Sequence, residues 1–175
     1  MQIDVELVAS ARDGNAQAFS EIYDSLRGEL YKYALYTLGN SFDAEDAVSE
    51  TFFEAYRGIH RLREPEAFKS WIFRILSIRC KRKIAEYVKF RGNCDIDDFI
   101  DLSDDSMSEE DAAERSALVQ ALSTLSPEER MIVALSSLHG YTTLEISKIL
   151  GKPHGTVSSK LCRTYAKLRK ELEER

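Results

Sequence analysis

From Asn93 to Glu114 the chain reads NCDIDDFIDLSDDSMSEEDAAE, and a stretch this acidic cannot join a packed core. Residues 91–115 carry ten acidic and two basic side chains, a net charge of −8. Ile96, Phe99, Ile100 and Leu102 are its few apolar residues, and they are grouped. The stretch therefore divides the 175 residues into two pieces, 1–92 and 116–175, each the size of a small domain. It reads either as a solvated tether or as a segment that docks in a basic channel of a partner.

Both flanking pieces must then be compact on their own terms. Hydrophobic residues make up 43% of the chain, enough to build two cores. Only eight glycines and three prolines punctuate it, which favours long helices over a sandwich or barrel. The expected fold class is all-α: an N-terminal helical bundle and a C-terminal helix-turn-helix joined by the acidic linker.

The first piece repeats apolar residues in steps of three and four. Phe19, Ile22, Tyr23, Leu26, Leu30, Tyr33, Ala34 and Leu38 form one helical stripe, opened by Asp13-Gly14-Asn15 and closed by Gly39-Asn40. A shorter helix is expected over Val5–Arg12. A second stripe comprises Ala47, Val48, Thr51, Phe52, Ala55, Tyr56 and Ile59. Asp43, Glu45, Asp46 and Glu50 fall in its first turns. There they either complement the helix dipole or form an acidic docking edge. After the connector Arg61–Pro65, a third helix places Phe68, Trp71, Ile72, Ile75 and Leu76 inward. Lys69, Arg74, Arg79, Lys81, Arg82, Lys83, Lys89 and Arg91 make that helix basic. Basic side chains beside aromatic rings suit a nucleic-acid strand; the alternative is a solvated face over a core that keeps the rings.

The second piece has the punctuation of a helix-turn-helix. Leu118, Ala121, Leu122 and Leu125 suggest a short amphipathic helix. Ser126-Pro127-Glu128-Glu129 is a capping box that starts a helix running toward His139, with Gly140 as its stop. Thr142–Glu145 is a second capping box, opening a helix of about two turns that ends at Gly151. After Lys152-Pro153-His154 comes a longer helix with Val157, Leu161, Tyr165, Leu168 and Leu172 inward. A short helix, a glycine, a tight turn and a longer helix is the DNA-reading layout, with the second helix in the major groove. Thr156, Ser158 and Ser159 allow close approach, and Lys160 and Arg163 can meet phosphates or guanine edges. An ordinary helical hairpin with a polar face is the alternative. The net charge of +3 over residues 116–175 implies weak DNA binding by this piece alone.

Other chemistries find little support. His60, His139 and His154 are far apart without HExxH spacing, and each reads as a surface or turn residue; no glycine-rich phosphate loop occurs. No catalytic residue, metal site or cofactor is expected, so the chain reads as a non-enzyme. Cys80, Cys94 and Cys162 make no CxxC pair and read as small apolar side chains of a reduced, cytoplasmic protein. No apolar run approaches the ~20 residues of a membrane span, and the acidic start is unlike a secretory signal.

Three segments together resemble a known family, the compact extracytoplasmic-function (ECF) group of bacterial RNA polymerase sigma factors. Asp43-Ala44-Glu45-Asp46-Ala47-Val48-Ser49-Glu50-Thr51-Phe52 resembles the segment that grips the polymerase clamp. Ala67-Phe68-Lys69-Ser70-Trp71-Ile72-Phe73-Arg74-Ile75 resembles the segment that melts and reads the minus-10 element. Leu125–Arg130 and Gly155-Thr156-Val157 resemble the domain that reads the minus-35 element. The resemblance runs from about Val8 to Leu172. It implies a sigma region-2 domain at 1–92 and a region-4 domain at 116–175, with the linker at 93–115 threading the polymerase's RNA exit region.

By that resemblance, Asp43, Glu45, Asp46 and Glu50 bind core RNA polymerase. Arg61, Arg63, Lys69, Arg74, Arg79, Lys81 and Arg82 contact the minus-10 strand, with Trp71 largely structural. His154, Thr156, Ser158, Ser159, Lys160 and Arg163 hold the minus-35 duplex. Ser158-Ser159-Lys160-Leu161 stands where the family commonly has Lys-Ser-Arg-Leu, a difference that bears on promoter sequence rather than role. The implied partners are core polymerase, promoter DNA and an anti-sigma factor, for a chain that is monomeric when free and not inserted in a membrane. Two other readings stay open: an independent helix-turn-helix regulator, dimeric on palindromic DNA, and a sigma-like adaptor that binds polymerase without promoter activity.

Overall fold

The computed structural model describes residues 3–91 and 120–173, and the expected linker at 93–115 lies outside the described residues. Every regular element among the described residues is helical. The first half comprises α1 (Val5–Arg12), α2 (Ala16–Leu38), α3 (Ser41–Gly58) and α4 (Phe68–Arg91), with short 3-10 turns at Ile59–Arg61 and Pro65–Ala67 between α3 and α4. The second half comprises α5 (Pro127–Val133), α6 (Thr143–Leu150) and α7 (His154–Glu173).

Side-chain caps set most boundaries. The Asn15 Oδ1 accepts from the Gln17 and Ala18 amides at 3.0 and 3.2 Å and starts α2. Gly39 ends it in the left-handed region at φ 73°, which costs a glycine little. Asn40 then caps α3 by accepting from the Asp43 amide at 2.9 Å. Both expected capping boxes form. Ser126 exchanges bonds with Glu129 around the start of α5, and Thr142 does so with Glu145 at α6. The segment expected to run as one helix to His139 instead widens after Val133 into a π-helical turn, Ala134–Leu138. Beyond it, past the left-handed Gly140 that stops the helix, the Tyr141 amide reaches back to the Leu135 carbonyl at 3.0 Å.

The apolar stripes pack α2 against α3 and α4, with α1 across α2. Ile22, Leu26, Leu30, Ile72 and Leu76 are fully buried, and each such side chain is worth about 1.5–3 kcal/mol of transfer free energy. One polar link crosses this core: the Tyr33 Oη and the Ser77 Oγ lie 2.8 Å apart, joining α2 to α4. Three stripe edges depart from expectation. Tyr56 is 55% exposed and Tyr165 40% exposed, while Thr164 takes a core position on α7. Its hydroxyl is satisfied by the Lys160 carbonyl at 2.8 Å, which makes a threonine acceptable there. Cys80 is a buried thiol pushed up to about 12 by desolvation, in keeping with an apolar role. Cys162 is exposed, unlike the expectation, because it falls on the solvent side of α7. Cys94 lies outside the described residues.

The two halves are not separate bodies. α5 lies on α2 and α6 lies on α4. One continuous apolar cluster includes Tyr33 and Phe73 from the first half and Met131, Leu135, Ile146 and Ile149 from the second.

Candidate polymerase and nucleic-acid interfaces

The acidic edge of α3 faces the basic flank of α4. Asp43, Asp46, Glu50 and Glu54 recur at helical spacing, and each finds a partner there. Lys83 binds Asp46 at 2.5 Å and lies 3.6 Å from Asp43, which also accepts from the Tyr87 hydroxyl. Arg79 bridges Glu50 at 3.0 Å and Glu54 at 2.5 Å. The guanidinium is raised above its ordinary range, first by the Glu54 hydrogen bond. So three of the four expected polymerase-binding acids are held in an intramolecular ladder, with Asp46 and Glu50 still about half exposed. Glu45 is exposed, and its position in the helical repeat is off the face that carries the ladder. Glu54 belongs to the ladder too; its spacing four residues after Glu50 was the available signal.

The expected minus-10 residues divide among three places. Arg61 and Arg79 line an open cleft of about 520 Å³ between α3, the connector and α4, together with Phe53, Arg57, Gly58 and Trp71. The Phe53 ring is 65% exposed, with the Arg57 guanidinium 5.6 Å above its centre. Trp71 is half-buried: Phe68 backs it at 5.7 Å, and Gly58 passes so close that a Cβ there would sit 3.3 Å from the indole. Arginines around an exposed ring and an indole wall can hold a strand's phosphates and stack its bases. Phe53 and Arg57 were not singled out from sequence. Their signal was an aromatic lying off the buried stripe of its helix.

Arg63, Arg74 and Arg82 are exposed outside this lining. Lys69 is half-buried and bound to Glu29 at 2.8 Å. Lys81 is turned to the other half of the molecule, where its ammonium donates to the Leu150 carbonyl at 2.9 Å. Burial lowers it below the ordinary lysine range.

The second half presents its reading helix to solvent. The Gly151 turn, at φ 65°, sets α7 against α6, and Val157 and Leu161 anchor it. His154, Thr156, Ser158, Ser159 and Arg163 are exposed along the N-terminal half of α7. The His154 Nε2 pairs with the Thr143 hydroxyl at 2.9 Å, linking the starts of α6 and α7. Lys160 is half-buried on Glu128 at 2.7 Å, and Lys152 joins the same carboxylate at 3.3 Å. The Lys160 hydrogen bond is the first cause holding Glu128 below its usual range. Arg130, from the resembling segment, is buried; its Nε donates to the Leu122 carbonyl at 2.8 Å and ties α5 to the preceding helical turn.

His139 departs from expectation. It stands in a turn, but its side chain is only 4% exposed, because the first half supplies Phe73 and Tyr33 to cover it. His60 and His154 are exposed. Among the described residues no cluster of His, Cys, Asp or Glu could hold a metal, and no helix is long and apolar enough to cross a membrane.

Comparisons with known proteins meet this geometry at both halves. Residues 22–88 match the family model for Sigma-70 region 2, and residues 115–168 that for Sigma-70 region 4. The ECF RNA polymerase sigma factor BldN of Streptomyces coelicolor is 30% identical, over 94% of this chain and 65% of its own length. The ECF RNA polymerase sigma factor SigM of Mycobacterium tuberculosis H37Rv is 29% identical over 94% of this chain and 82% of its own. SigW of Bacillus subtilis, another ECF sigma factor, is 27% identical over 95% of both. Two solved structures share the fold. CnrH in complex with the cytosolic domain of CnrY has a TM-score of 0.72 at 22% identity, covering 98% of this chain and 97% of that one. The sigma factor RpoE in complex with the anti-sigma factor NepR from Bartonella quintana has a TM-score of 0.76 at 20% identity, covering 90% and 98%. With both sigma-70 regions present in order, and ECF relatives matching along nearly its whole length, the chain belongs to the sigma-70 family and, within it, to the ECF RNA polymerase sigma factors.

Proposed function

We propose that this chain directs core RNA polymerase to two-part promoters, acting as a specificity subunit with no catalytic site of its own. The observation that supports this reading is two separate exposed faces on one chain whose side chains suit nucleic acid. One is the Phe53–Arg57–Arg61–Trp71 cleft on region 2, and the other is the exposed N-terminal half of α7 on region 4.

The roles follow from chemistry. The α3 edge carries the polymerase contact: Glu45 leads, and Asp43, Asp46 and Glu50 contribute negative potential that steers the chain onto a basic clamp. The cleft takes the unpaired strand. Pulling a base from the stack costs a few kcal/mol, which the Phe53 and Trp71 rings and the Arg57 and Arg61 charges offset, and Arg79 contributes once it leaves Glu50 and Glu54. Arg63, Arg74 and Arg82 extend the phosphate track, and Lys69 and Lys81 join it once released from their present partners. Thr156, Ser158, Ser159 and Arg163 meet base edges and phosphates of the minus-35 duplex, with His154 and Lys160 at the margins. The chain works in the cytoplasm as a monomer before it joins polymerase. The two structural neighbours are described with CnrY and with the anti-sigma factor NepR, which supports an inhibitor of that class as a further partner.

Co-elution with core polymerase tests the polymerase contact. Glu45→Arg reverses a charge without touching the ladder, so it abolishes co-elution while leaving the melting temperature unchanged. Undiminished co-elution would remove the α3 edge from the account.

A further inference from the structure

One carboxylate of the second half holds two of the bases nearest the reading helix. Glu128 stands in the first turn of α5, which packs on α7. Its Oε2 accepts from the Lys160 ammonium at 2.7 Å, and its Oε1 lies 3.3 Å from the Lys152 ammonium. Each oxygen is thus engaged by a different lysine. Lys152 stands in the turn after Gly151, and Lys160 in the second turn of α7. In the chain the two bracket Thr156, Ser158 and Ser159, the hydroxyls of the proposed base-reading face.

Glu128 has no other duty in the fold that explains the contact. The hydrogen bonds that start α5 belong to Ser126 and Glu129, and Glu129 also meets Lys167. Glu128 is 31% exposed and Lys160 25%, so water screens the pair incompletely. Arg163, by contrast, is exposed, with its Nε donating to the Ser159 carbonyl of its own helix at 3.2 Å. A lysine at 160 suits being held in this way. Its ammonium is a point charge that one carboxylate oxygen can fix, whereas a guanidinium would keep further donors for a phosphate.

Contacts to phosphates grip every sequence alike, and contacts to base edges discriminate. Two free lysines beside the groove would add grip without information. Resting on the region-4 reading above, we propose that Glu128 is a specificity-determining residue. It withholds Lys152 and Lys160 from backbone phosphates, so that recognition of the minus-35 duplex falls to the base-edge contacts of Thr156, Ser158, Ser159 and Arg163.

Glu128→Gln keeps the shape of the side chain and removes its charge. Glu173→Gln, at the exposed far end of α7, changes the net charge equally and sets the background. The full chain is titrated by anisotropy with a short random-sequence duplex over a range of salt. Glu128→Gln should bind it several-fold more tightly than the unsubstituted protein. Its salt slope should be steeper by about 0.9 for each lysine that reaches a phosphate. Adding Lys160→Ala should remove most of that gain. In selection from a random duplex pool with core polymerase present, Glu128→Gln should enrich a less sharply defined minus-35 element. Affinity and slope no different from those of Glu173→Gln, or a gain that survives Lys160→Ala, overturns the withholding. Tighter binding with an equally sharp element overturns the role in specificity. A lower melting temperature with unchanged binding leaves Glu128 as a tie between α5 and α7 and overturns the proposal. If the pool yields no element for either protein, the sigma reading fails and the specificity role with it, while the salt slopes still decide whether Glu128 withholds the lysines. Glu128→Ala gives a second charge-removing variant should Glu128→Gln misfold.

Discussion

Gly58→Ala should damage promoter opening while leaving stability nearly untouched. Gly58 ends α3 with φ −103°, a backbone any residue can adopt, so alanine meets no strain from the chain itself. Replacing glycine there gains about 0.5–1 kcal/mol from the reduced freedom of the unfolded state. The new Cβ lies 3.3 Å from the Trp71 Cζ2 and 3.6 Å from Cη2, so the indole must retreat by a few tenths of an ångström. Overpacking costs about 1–3 kcal/mol in a closed core, and Trp71 borders an open cleft, which puts the cost at the low end, about 1 kcal/mol. The two effects nearly cancel. For a chain of this size the melting temperature should move by less than about 4 °C. Trp71 is the single tryptophan of the chain, so its fluorescence reports the displacement directly. The expected result is a changed emission spectrum, an unchanged melt and a several-fold loss of open-complex formation. Full open-complex formation with a shifted indole would refute the assignment of Trp71 to the strand-holding cleft. A large loss of stability would refute the packing estimate.

Other outcomes follow from the same geometry. Arg79→Met removes the bridge to Glu50 and Glu54. The pairs are part-exposed, so about 1 kcal/mol is expected, visible as a lower melting temperature at low salt that shrinks in 1 M salt. Ser126→Ala removes the cap of α5 and should lower stability by about 1 kcal/mol in urea titrations with unchanged slope. Arg163→Ala should weaken a minus-35 duplex by about 1–3 kcal/mol in anisotropy titrations and leave core binding intact. Acid should loosen the contact between the two halves. Burial, opposed by Glu29 and aided by Lys69 and Lys32, lowers His139 from its ordinary 6.5 to about 4. Tyr33 also faces it. The contact therefore holds its full advantage above pH 6.5 and loses it as pH falls from 6.5 toward 4, by at most about 1.4 kcal/mol per pH unit. Energy transfer between dyes on the exposed Cys162 of α7 and on a cysteine introduced at the exposed Ser49 of α3, in protein carrying Cys94→Ser, should fall over that window, and His139→Phe should abolish the dependence.

The helices were legible because their determinants are local. Steps of three and four placed the stripes of α2, α3 and α4. Ser126-x-x-Glu129 and Thr142-x-x-Glu145 placed two helix starts to the residue. What the sequence withheld depends on the meeting of distant segments. The acids of α3 could be read as a docking edge, but nothing local says that Lys83 and Arg79 lie across from them. His139 looked like a turn residue because its burial comes from Phe73 and Tyr33, more than sixty residues away in the chain. Lys81 looked like one more exposed base on a basic helix, and only the approach of α6 gives it the Leu150 carbonyl. Tyr56 and Tyr165 sit at stripe edges, where the width of the covered face depends on the neighbouring helix. In the candidate site, the exposed face of α7 was readable from small hydroxyls at helical spacing. The cleft was half readable: Arg61 and Arg79 came from charge, whereas Phe53 and Arg57 required the fold.

Run-off transcription with purified core polymerase and a library of random promoter fragments tests the central claim most directly. The account predicts initiation from fragments that share a two-part element. That initiation is lost with Glu45→Arg and reduced at one part of the element by Arg163→Ala. Core binding without initiation from any fragment, or initiation indifferent to both substitutions, would contradict it.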